Sequence, residues 1–347
     1  MMNQDYTDKL LKIEAELDRW LPENPGPEWI EQMFTYIGKQ ASIESIRFLI
    51  SPLRDLLLRG GKRWRPLLMT LVCEILNGGD AAVQLSPVVE FSHNASLIHD
   101  DIEDDSDTRR GKPAIHKIFG VDCAINSGSF LYFLASCCIE SCSLDNKVQI
   151  FKCWMDCMRR LHLGQAMDIS WHQNISFVPS IDDYYLMCKL KSGSLARLST
   201  ELGALAANTP PEAIQSFGEV ADMMGVGFQV MDDVKNLKTG APGKKKGDDI
   251  VEGKKGLPVL LYLQKYPEKR DLIFYYFHAA KTEGIRAPEV EDLINALTVT
   301  GVLNEAEEIG RSILKKTRES LNSREYSGIS INENYNDLLD RFFNLIS

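Results

Sequence analysis

Two clusters of acidic residues are the part of this sequence that could do chemistry. In the first, LIHDDIEDDSDTRRGKP (97–113), six of the eight residues that begin at position 100 are Asp or Glu. On a helix, Asp100 and Asp104 lie one turn apart on the same face, and Asp101 and Asp105 form a second such pair. Like charges at this spacing weaken a helix, so either solvent screens them or cations bind them.

The second cluster lies in FQVMDDVKN (228–236), where Asp232 and Asn236 repeat the spacing of four and Asp233 is adjacent to Asp232. Two such groups could face each other across a cavity, where they would stay ionised only with cations between them. Each cluster alone could instead be a solvated face, as most runs of charge are. The apolar segment VVEFSHNASLI before Asp100 is typical of a buried helix, and this favours a functional site.

The potential ligand atoms in both clusters are oxygens, and the sequence has no Cys or His residues at metal-binding spacing. Oxygen ligands select hard cations. Mg²⁺ typically takes one or two carboxylates and completes its coordination with water and phosphate oxygens. A phosphorylated ligand is therefore expected beside the acids.

Basic residues lie close to both acid clusters, although the formal net charge of the protein is −10. They are Lys62, Arg63 and Arg65 in GGKRWRP, Arg109 and Arg110 after the first cluster, Lys189 and Lys191 before Ser192, and Lys244, Lys245, Lys246, Lys254 and Lys255 after the second. Each run alone is typical of a solvated face. Together they could bind one diphosphate that metal bridges to the acids and a second that Lys and Arg hold directly.

Helical periodicity runs through the whole chain. Apolar residues recur three and four positions apart in segments such as DKLLKIEAELDRWL, SIRFLISPLRDLLLR and QIFKCWMDCMRRLHLGQAMDI, and no strand-like alternation persists. With 347 residues, 44% of them hydrophobic, the chain can bury a large core. These features predict one all-α domain over 1–347 with about a dozen helices. Residues 1–27 form an N-terminal helix and linker that could lie outside the main bundle.

Charge and cysteine usage exclude some classes of protein. An acidic chain is a poor match for nucleic acid or an anionic membrane as its main partner. The eight cysteines show no CxxC pair, and we expect them to be free thiols in a reducing cytosol. The N-terminus has no signal-peptide pattern, and the most apolar region, 125–139, is too short and polar to span a bilayer. We therefore expect a cytoplasmic protein without a transmembrane segment.

These motifs resemble those of the trans-isoprenyl diphosphate synthase (polyprenyl synthetase) family. GGKRWRP, HNASLIHDDIEDDSDTRRGKP, LHLGQAMDISWH, KLKSGSLARL, GFQVMDDVKNL and GKKKGDDIVEGKKGLPV follow one another in family order. The segment HNASLIHDDIED and Asn236 are most similar to the geranylgeranyl diphosphate synthases of eukaryotic type. The resemblance implies a single large helical bundle of the isoprenoid synthase type with a central cavity, and a homodimer.

The resemblance also implies a role for each matching residue. Asp100, Asp104 and Asp232 would hold Mg²⁺, for which Mn²⁺ could substitute. The allylic diphosphate would bind to Arg109, Lys191, Ser192, Gln229, Lys244 and Lys254, and isopentenyl diphosphate to Lys62, Arg65, His93 and Arg110. Lys191, Ser192 and Gln229 would also be catalytic, through stabilisation of a carbocation. Three positions depart from the family pattern: Ser192 stands for Thr, Asn236 for an acid, and Gly256 for Thr or Ser.

The implied reaction lengthens an allylic starter, which is dimethylallyl, geranyl or farnesyl diphosphate. Diphosphate leaves the starter, the double bond of isopentenyl diphosphate attacks the allylic cation, and a proton is lost. Ala95 and Ser96 lie about one helical turn before Asp100, where farnesyl-making relatives place an aromatic ring. Because both residues are small, the expected product is geranylgeranyl diphosphate or longer, with Phe130 or Phe133 as a deeper limit.

Two other classes share part of this pattern. A class I terpene cyclase has the first acid motif and the helical fold, but its second metal motif contains an Asn/Asp, Ser/Thr, Glu triad that DDVKN does not match. A non-catalytic subunit that regulates a partner synthase would be expected to have lost acids or substrate-binding bases. All of them are present in this sequence.

Overall fold

The computed structural model describes residues 4–240, 245–322 and 340, and within these residues almost all regular structure is helical. The sixteen α-helices are α1 (Gln4–Trp20), α2 (Pro27–Gly38), α3 (Ile43–Leu58), α4 (Trp64–Ile75), α5 (Ser86–Glu103), α6 (Ile115–Phe119), α7 (Val121–Ser141), α8 (Lys147–Gln173), α9 (Ile181–Cys188), α10 (Ser194–Ala206), α11 (Pro211–Lys238), α12 (Asp248–Glu252), α13 (Leu257–Lys265), α14 (Arg270–Glu283), α15 (Pro288–Val299) and α16 (Val302–Asn322). The prediction of an all-α fold is confirmed.

One small antiparallel ladder interrupts the helical pattern. Strand β1 (Thr108–Arg109) pairs with β2 (Lys112–Pro113), and Arg110 and Gly111 form the turn between them. Both turn residues have positive φ, 52° and 75°, as a two-residue hairpin turn of this hand requires. This ladder cannot be recognised from the sequence pattern, because two-residue strands are too short to show any alternation.

The described residues form two compact units. Unit 1 contains 4–156, 198–218 and 340, and unit 2 contains 157–197, 219–240 and 245–322. In unit 1, α5 packs along α7 and against α4 and α1. Phe91 of α5 and Ile13 and Leu17 of α1 are fully buried. The first helix therefore contributes two fully buried side chains to unit 1.

Helix α7 has two contrasting faces. By length and composition alone it is the one helix among the described residues that could cross a membrane, and half of that stretch is buried. On its other face, Val121, Ile125 and Phe133 are 48%, 46% and 67% exposed. Their spacing of four and eight residues places them on one side of the helix.

The core of unit 2 is built from α9, the C-terminal half of α11 and helices α13 to α16. Tyr184 of α9 and Phe277 of α14 are among its largest buried side chains, and they pack in one cluster with Val230 and Val234 of α11. This packing holds the α11 segment that carries Asp232 and Asp233 beside the start of α13.

Candidate active site

The acids of the first cluster occupy different environments. Asp101 is fully buried and accepts a hydrogen bond of 2.8 Å from Nε of Arg109, whereas Arg109 Nη2 lies 3.5 Å from Asp100. Burial raises the pKa of Asp101, although Arg109 opposes the shift. Asp105 is exposed and pairs with Lys117 at 2.7 Å. Asp100 and Asp104 are therefore both partly exposed. In the other pair, Asp101 is buried and Asp105 is exposed.

Arg59, which the sequence analysis did not select, anchors the hairpin after the first cluster. Its Nη1 donates to the backbone carbonyls of Arg109 at 3.0 Å and Pro113 at 2.8 Å, and its Nε donates to Asp55 at 2.5 Å. Arg59 is the C-cap residue of the amphipathic helix α3, and nothing in its local pattern distinguishes it from a solvated arginine. Only the fold shows that it holds both strands.

Arg110 packs on the second glycine of GGKRWRP, Gly61. A Cβ built on Gly61 would come within 3.3 Å of the Arg110 guanidinium carbon, and Gly61 itself has a φ of 148°. Nη1 of Arg110 donates to the carbonyl of Leu56 at 3.1 Å, and Nη2 lies 4.0 Å from Glu90. Burial and the charges of neighbouring arginines lower the pKa of Arg110. The glycine at position 61 therefore makes room for an arginine 49 residues away in the chain.

The three basic residues of GGKRWRP separate in the structure. Arg63 is buried, and its guanidinium donates to Glu14 at 2.8 Å, to Glu90 at 2.8 Å and to the carbonyl of Leu57 at 2.8 Å. Lys62 is exposed, and Arg65 is half-buried. Arg63 therefore links buried groups of unit 1, whereas Lys62 and Arg65 are at least partly accessible to solvent.

His93 is a neutral acceptor for Arg65. Nη1 of Arg65 lies 3.0 Å from Nε2 of His93, and because a guanidinium can only donate, Nε2 accepts and the imidazole proton is on Nδ1. Burial lowers the pKa of His93 well below its usual value, and the charges of Arg65 and Arg110 lower it further. The structure therefore brings together three of the four residues predicted to bind isopentenyl diphosphate, namely Arg65, His93 and, through the charge it exerts there, Arg110.

His99, the second histidine of HNASLIHDDIED, is a packed residue in this structure. Its Nδ1 lies 3.0 Å from the carbonyl of Ala95, and its ring stacks parallel to Tyr132 with centroids 5.8 Å apart. A Cβ on Gly128 would come within 2.9 Å of the ring. His99 thus fills the contact between α5 and α7.

In unit 2, Lys191 and Ser192 lie in a single π-helical turn, Lys189–Gly193, between α9 and α10. Two glycines let helices approach its backbone: a Cβ on Gly164 would lie 2.3 Å from the Lys191 nitrogen, and one on Gly225 would lie 2.2 Å from the Gly193 Cα. Such π turns recur at functional sites because they redirect side chains without ending the helix.

Several predicted residues line one cavity in unit 2. They are Lys191, Gln229, Asp232 and Lys254, and the cavity is also lined by Asp168, His172, Asp249 and Lys255, which the sequence analysis did not assign. Nζ of Lys191 lies 2.5 Å from Asp168, and Nζ of Lys254 lies 2.6 Å from Glu252. Asp168 lies in the motif LHLGQAMDISWH, and its place in that motif could have identified it as a candidate site residue.

The basic run after the second acid cluster has mixed surroundings. Lys244 lies outside the described residues, so its predicted role stays a prediction. Lys255 is buried, and its Nζ donates to the carbonyl of Asn174 at 3.1 Å. Burial lowers the pKa of Lys255 to about 8, with a further contribution from the charge of Lys281. Lys246 is paired at the surface with Glu291 at 3.1 Å.

The small residues of α5 lie next to a buried aromatic ring. Ala95 is fully buried, and Ser96 Oγ donates to the carbonyl of His93 at 2.8 Å. One turn before Ser96, buried Ser92 accepts a hydrogen bond of 3.0 Å from Nε1 of Trp154 on α8. Trp154 was missed, because it is 62 residues from Ser92 in sequence.

Of the two phenylalanines expected as a deeper limit, Phe133 does not fit. It is 67% exposed, on the open face of α7, so it cannot close an internal cavity of this chain. Phe130 lies on the same helix and stacks on Phe34, with ring centroids 5.5 Å apart. The buried ring beside the small residues of α5 is that of Trp154.

The donor groups suit a hard divalent cation. The described residues contain no preformed group of three or more His, Cys, Asp or Glu side chains that could hold a metal ion by themselves. Mg²⁺ needs no such cage when substrate phosphates complete its coordination. In addition, Oδ2 of buried Asp101 has no hydrogen-bond partner, which is the kind of orphaned acceptor that a cation or its water satisfies.

Comparison with known proteins places the chain among prenyl diphosphate synthases. The family model described as polyprenyl synthetase matches residues 46–293. The geranylgeranyl pyrophosphate synthase of Neocamarosporium betae is 32% identical over 266 residues, 76% of this chain and 74% of the relative. The short chain isoprenyl diphosphate synthase of Methanocaldococcus jannaschii is 34% identical over 245 residues, which cover 69% of this chain and 72% of the relative.

The fold agrees with this comparison. The crystal structure of geranylgeranyl pyrophosphate synthetase from Pyrococcus horikoshii has a TM-score of 0.80 and 26% identity, and the match covers 99% of this chain and 96% of that one. A heptaprenyl diphosphate synthase from Staphylococcus aureus shares the fold with a TM-score of 0.77. The prediction of an isoprenoid synthase fold is confirmed.

Proposed function

Since the chain belongs to the polyprenyl synthetase family and is a prenyltransferase, we propose that it condenses isopentenyl diphosphate with an allylic diphosphate. The product is a trans-polyprenyl diphosphate, geranylgeranyl diphosphate or somewhat longer. One observation carries the proposal: unit 1 holds two neighbouring sets of charged and polar side chains, the acids of α5 with Arg109, and Arg65 with His93 and Arg110. Two such sets suit two diphosphates, one bridged by metal and one bound directly.

Asp100, Asp104 and Asp232 are the residues that would hold Mg²⁺ or, as a substitute, Mn²⁺. When bound, the cation stabilises the negative charge that develops on the leaving diphosphate. Asp232 is exposed, and Asp100 is partly so, which leaves their carboxylates accessible to an incoming substrate complex. Asp101 supports Asp100 indirectly, because it fixes the Arg109 guanidinium beside Asp100.

The allylic diphosphate would bind to Arg109, Lys191, Ser192, Gln229, Lys244 and Lys254. Isopentenyl diphosphate would bind to Lys62, Arg65, His93 and Arg110. Because His93 is neutral and its Nε2 accepts from Arg65, it would contribute a hydrogen bond from Nδ1 and no charge. The two arginines of the RRG turn would then serve different substrates, since one pairs with the acids and the other packs beside Gly61.

Lys191, Ser192 and Gln229 would stabilise the allylic cation after diphosphate has left. Ser192 Oγ donates to Oε1 of Gln229 at 2.7 Å, so a hydroxyl and an amide dipole are already oriented before substrate arrives. Preoriented dipoles stabilise a charged transition state without reorganisation. The proton lost in the last step would go to the departed diphosphate, and the apolar side chains of α5 would keep water from the cation.

The growing chain would extend along α5 towards its N-terminus, past Ser96 and Ala95. An isoprene unit is about as long as one helical turn, about 5.4 Å. Trp154 lies at Ser92, the next small residue along this path, and we propose that its indole ring is the floor. A floor at this depth lets the chain pass Ala95 and supports a product longer than farnesyl diphosphate.

We also propose that two copies associate through the exposed face of α7 formed by Val121, Ile125 and Phe133. Exposed apolar side chains on one helix face cost free energy in water and commonly mark an interface. This proposal rests on the exposed face together with the dimer that the family resemblance implies.

A cytoplasmic location is proposed from the thiols. All eight cysteines are free, and six of them are buried. Free thiols persist in a reducing compartment. Alkylation of thiols in intact cells should show that the accessible cysteines are reduced. Recovery of a disulfide would contradict a cytoplasmic location.

Activity should depend on metal and on the acids assigned to it. Purified protein with isopentenyl diphosphate and each allylic starter should form prenyl diphosphate with Mg²⁺ and none with excess chelator. Asp100→Asn and Asp232→Asn should each lower kcat by about 100-fold or more, because each removes charge that holds the cation at the leaving group. Asp105→Asn is the matched control, since Asp105 is exposed and pairs with Lys117. Full activity in chelator, or equal losses in all three variants, would refute the assignment.

The two arginines of the RRG turn should affect different substrates. Arg110→Ala should raise the KM for isopentenyl diphosphate by about 10-fold or more, as expected for loss of a charged hydrogen bond, with a smaller effect on the allylic KM. Arg109→Ala should show the opposite preference. Steady-state kinetics with each substrate varied in turn measures both constants. Equal shifts of both KM values in both variants would contradict the division.

Product length should respond to the bulk beside α5. Ala95→Phe and Ser96→Phe should shorten the product towards farnesyl diphosphate, because each places a ring one turn below Asp100. Trp154→Ala should lengthen it by removing the floor. Chromatography of the dephosphorylated products reads the length. Lengthening by Phe130→Ala and not by Trp154→Ala would show that Phe130 is the limit instead.

Self-association should depend on the α7 face. Size-exclusion chromatography with light scattering should give the mass of a dimer for the wild type and a monomer for Phe133→Glu, because a buried unpaired carboxylate opposes association. Val299→Glu is the control, since Val299 is 87% exposed on α15. A monomeric wild type would contradict the proposal.

A further inference from the structure

The second acid cluster divides into one open and two buried side chains. Asp232 is exposed and lines the cavity of unit 2, whereas Asp233 and Asn236 are 6% and 4% exposed. Consecutive residues on a helix point about 100° apart, so Asp232 and Asp233 cannot both face the same way. The contacts of the two buried residues show what they do.

Asp233 takes the place of a capping side chain for α13. Its Oδ2 accepts a hydrogen bond of 3.1 Å from the backbone nitrogen of Leu257, the first residue of that helix. Leu257 is one of the first-turn residues of α13 whose N–H has no partner within the helix, and the N-cap residue, Gly256, has no side chain with which to cap that turn. A Cβ built on Gly256 would lie 2.5 Å from the same Oδ2 and 2.8 Å from Asp233 Cγ. The carboxylate therefore caps the first N–H of α13 from a neighbouring helix, and it fills the space that any side chain at position 256 would enter.

Asn236 makes the equivalent contact one turn later on α11. Its side-chain Oδ1 accepts from the backbone nitrogen of Asp249 in the first turn of α12, at 3.3 Å. Its backbone carbonyl accepts from Gly247 at 3.1 Å. The segment from Gly247 to Leu257, which carries Asp249 and Lys254 into the cavity, is thus fastened to α11 at both ends.

The other carboxylate oxygen of Asp233 orients the catalytic dipoles. Oδ1 accepts from Nε2 of Gln229 at 2.9 Å, which turns Oε1 of the same amide towards Ser192 Oγ. Tyr184 donates to Oδ2 at 2.6 Å and closes the network from α9. One buried carboxylate therefore sets both the amide of Gln229 and the start of α13.

We propose that Asp233 and Asn236 are positioning residues and not metal ligands. Asp233 replaces the missing cap of α13 and orients Gln229, and Asn236 holds α12, so that together they place Lys254 and the Ser192–Gln229 pair for the reaction. The consequence for that reaction rests on the proposed function, but the capping of α13 by Asp233 does not, and it can be measured on the unliganded protein.

A double-mutant cycle in thermal stability tests the cap. Gly256→Ser alone should lower the Tm by about 3 °C or more, because its Cβ meets the Asp233 carboxylate, and Asp233→Ala alone should lower it similarly through loss of the cap. In Asp233→Ala, the added Gly256→Ser should raise the Tm, since the hydroxyl can now cap α13. Asp232→Ala is the matched control, in which Gly256→Ser should lower the Tm as in the wild type. If the double variant lowers the Tm by the sum of the two single losses, the proposal is overturned.

Kinetics separates positioning from metal binding. Asp233→Asn, which keeps the shape and one acceptor, should lower kcat about 10-fold and leave the half-saturating Mg²⁺ concentration within about twofold of the wild type. Asp232→Asn should raise that concentration. Asn236→Asp, which restores an acid, should not lower it. A rise in half-saturating Mg²⁺ for Asp233→Asn equal to that for Asp232→Asn would overturn the proposal. If the variants show the expected Tm changes but the protein has no synthase activity, the proposed function is refuted and the capping of α13 by Asp233 stands.

Discussion

The cost of burying charge is the constraint on which both candidate sites depend. A buried charge is tolerated only with partners, and removal of one partner is more damaging than the pair is stabilising. Asp101 is held by Arg109, Arg63 by Glu14 and Glu90, and Asp233 by three donors. Asp101, Arg63 and Asp233 are therefore occupied by protein partners, whereas Asp100, Lys62 and Asp232, their neighbours in sequence, are at least partly exposed.

Glycines allow close approach at several charged residues of the two sites. Gly61 makes space for the guanidinium of Arg110, Gly164 lets α8 touch the turn that carries Lys191, and Gly256 leaves room for the carboxylate of Asp233. At each position a single added carbon would enter the van der Waals radius of a functional group or its backbone. The small residues thus set the geometry of the charged ones, and this explains why the basic and acidic motifs are interleaved with glycine.

Ion pairs orient the charged side chains that line the cavity of unit 2. Lys191 is paired with Asp168 and Lys254 with Glu252, so the cationic side chains are held in place before any diphosphate arrives. A ligand that binds them meets oriented charges and need not order flexible side chains, which reduces the entropy lost on binding. The same logic applies to the Ser192–Gln229 pair, whose dipoles are oriented by Asp233.

Periodicity and motif chemistry by themselves determined the all-α fold, the two acid clusters and the basic residues beside them, because helical spacing and residue type are local properties. Residue type and spacing did not separate Asp100 from Asp101, Lys62 from Arg63, or Asp232 from Asp233, and the family resemblance that chose among them gave no physical reason. Neighbours in sequence differ in function here because distant segments bury one and leave the other open. The cap that Asp233 gives to α13 and the indole of Trp154 at Ser92 join residues 24 and 62 positions apart, and only the packed tertiary structure brings such atoms within hydrogen-bonding distance.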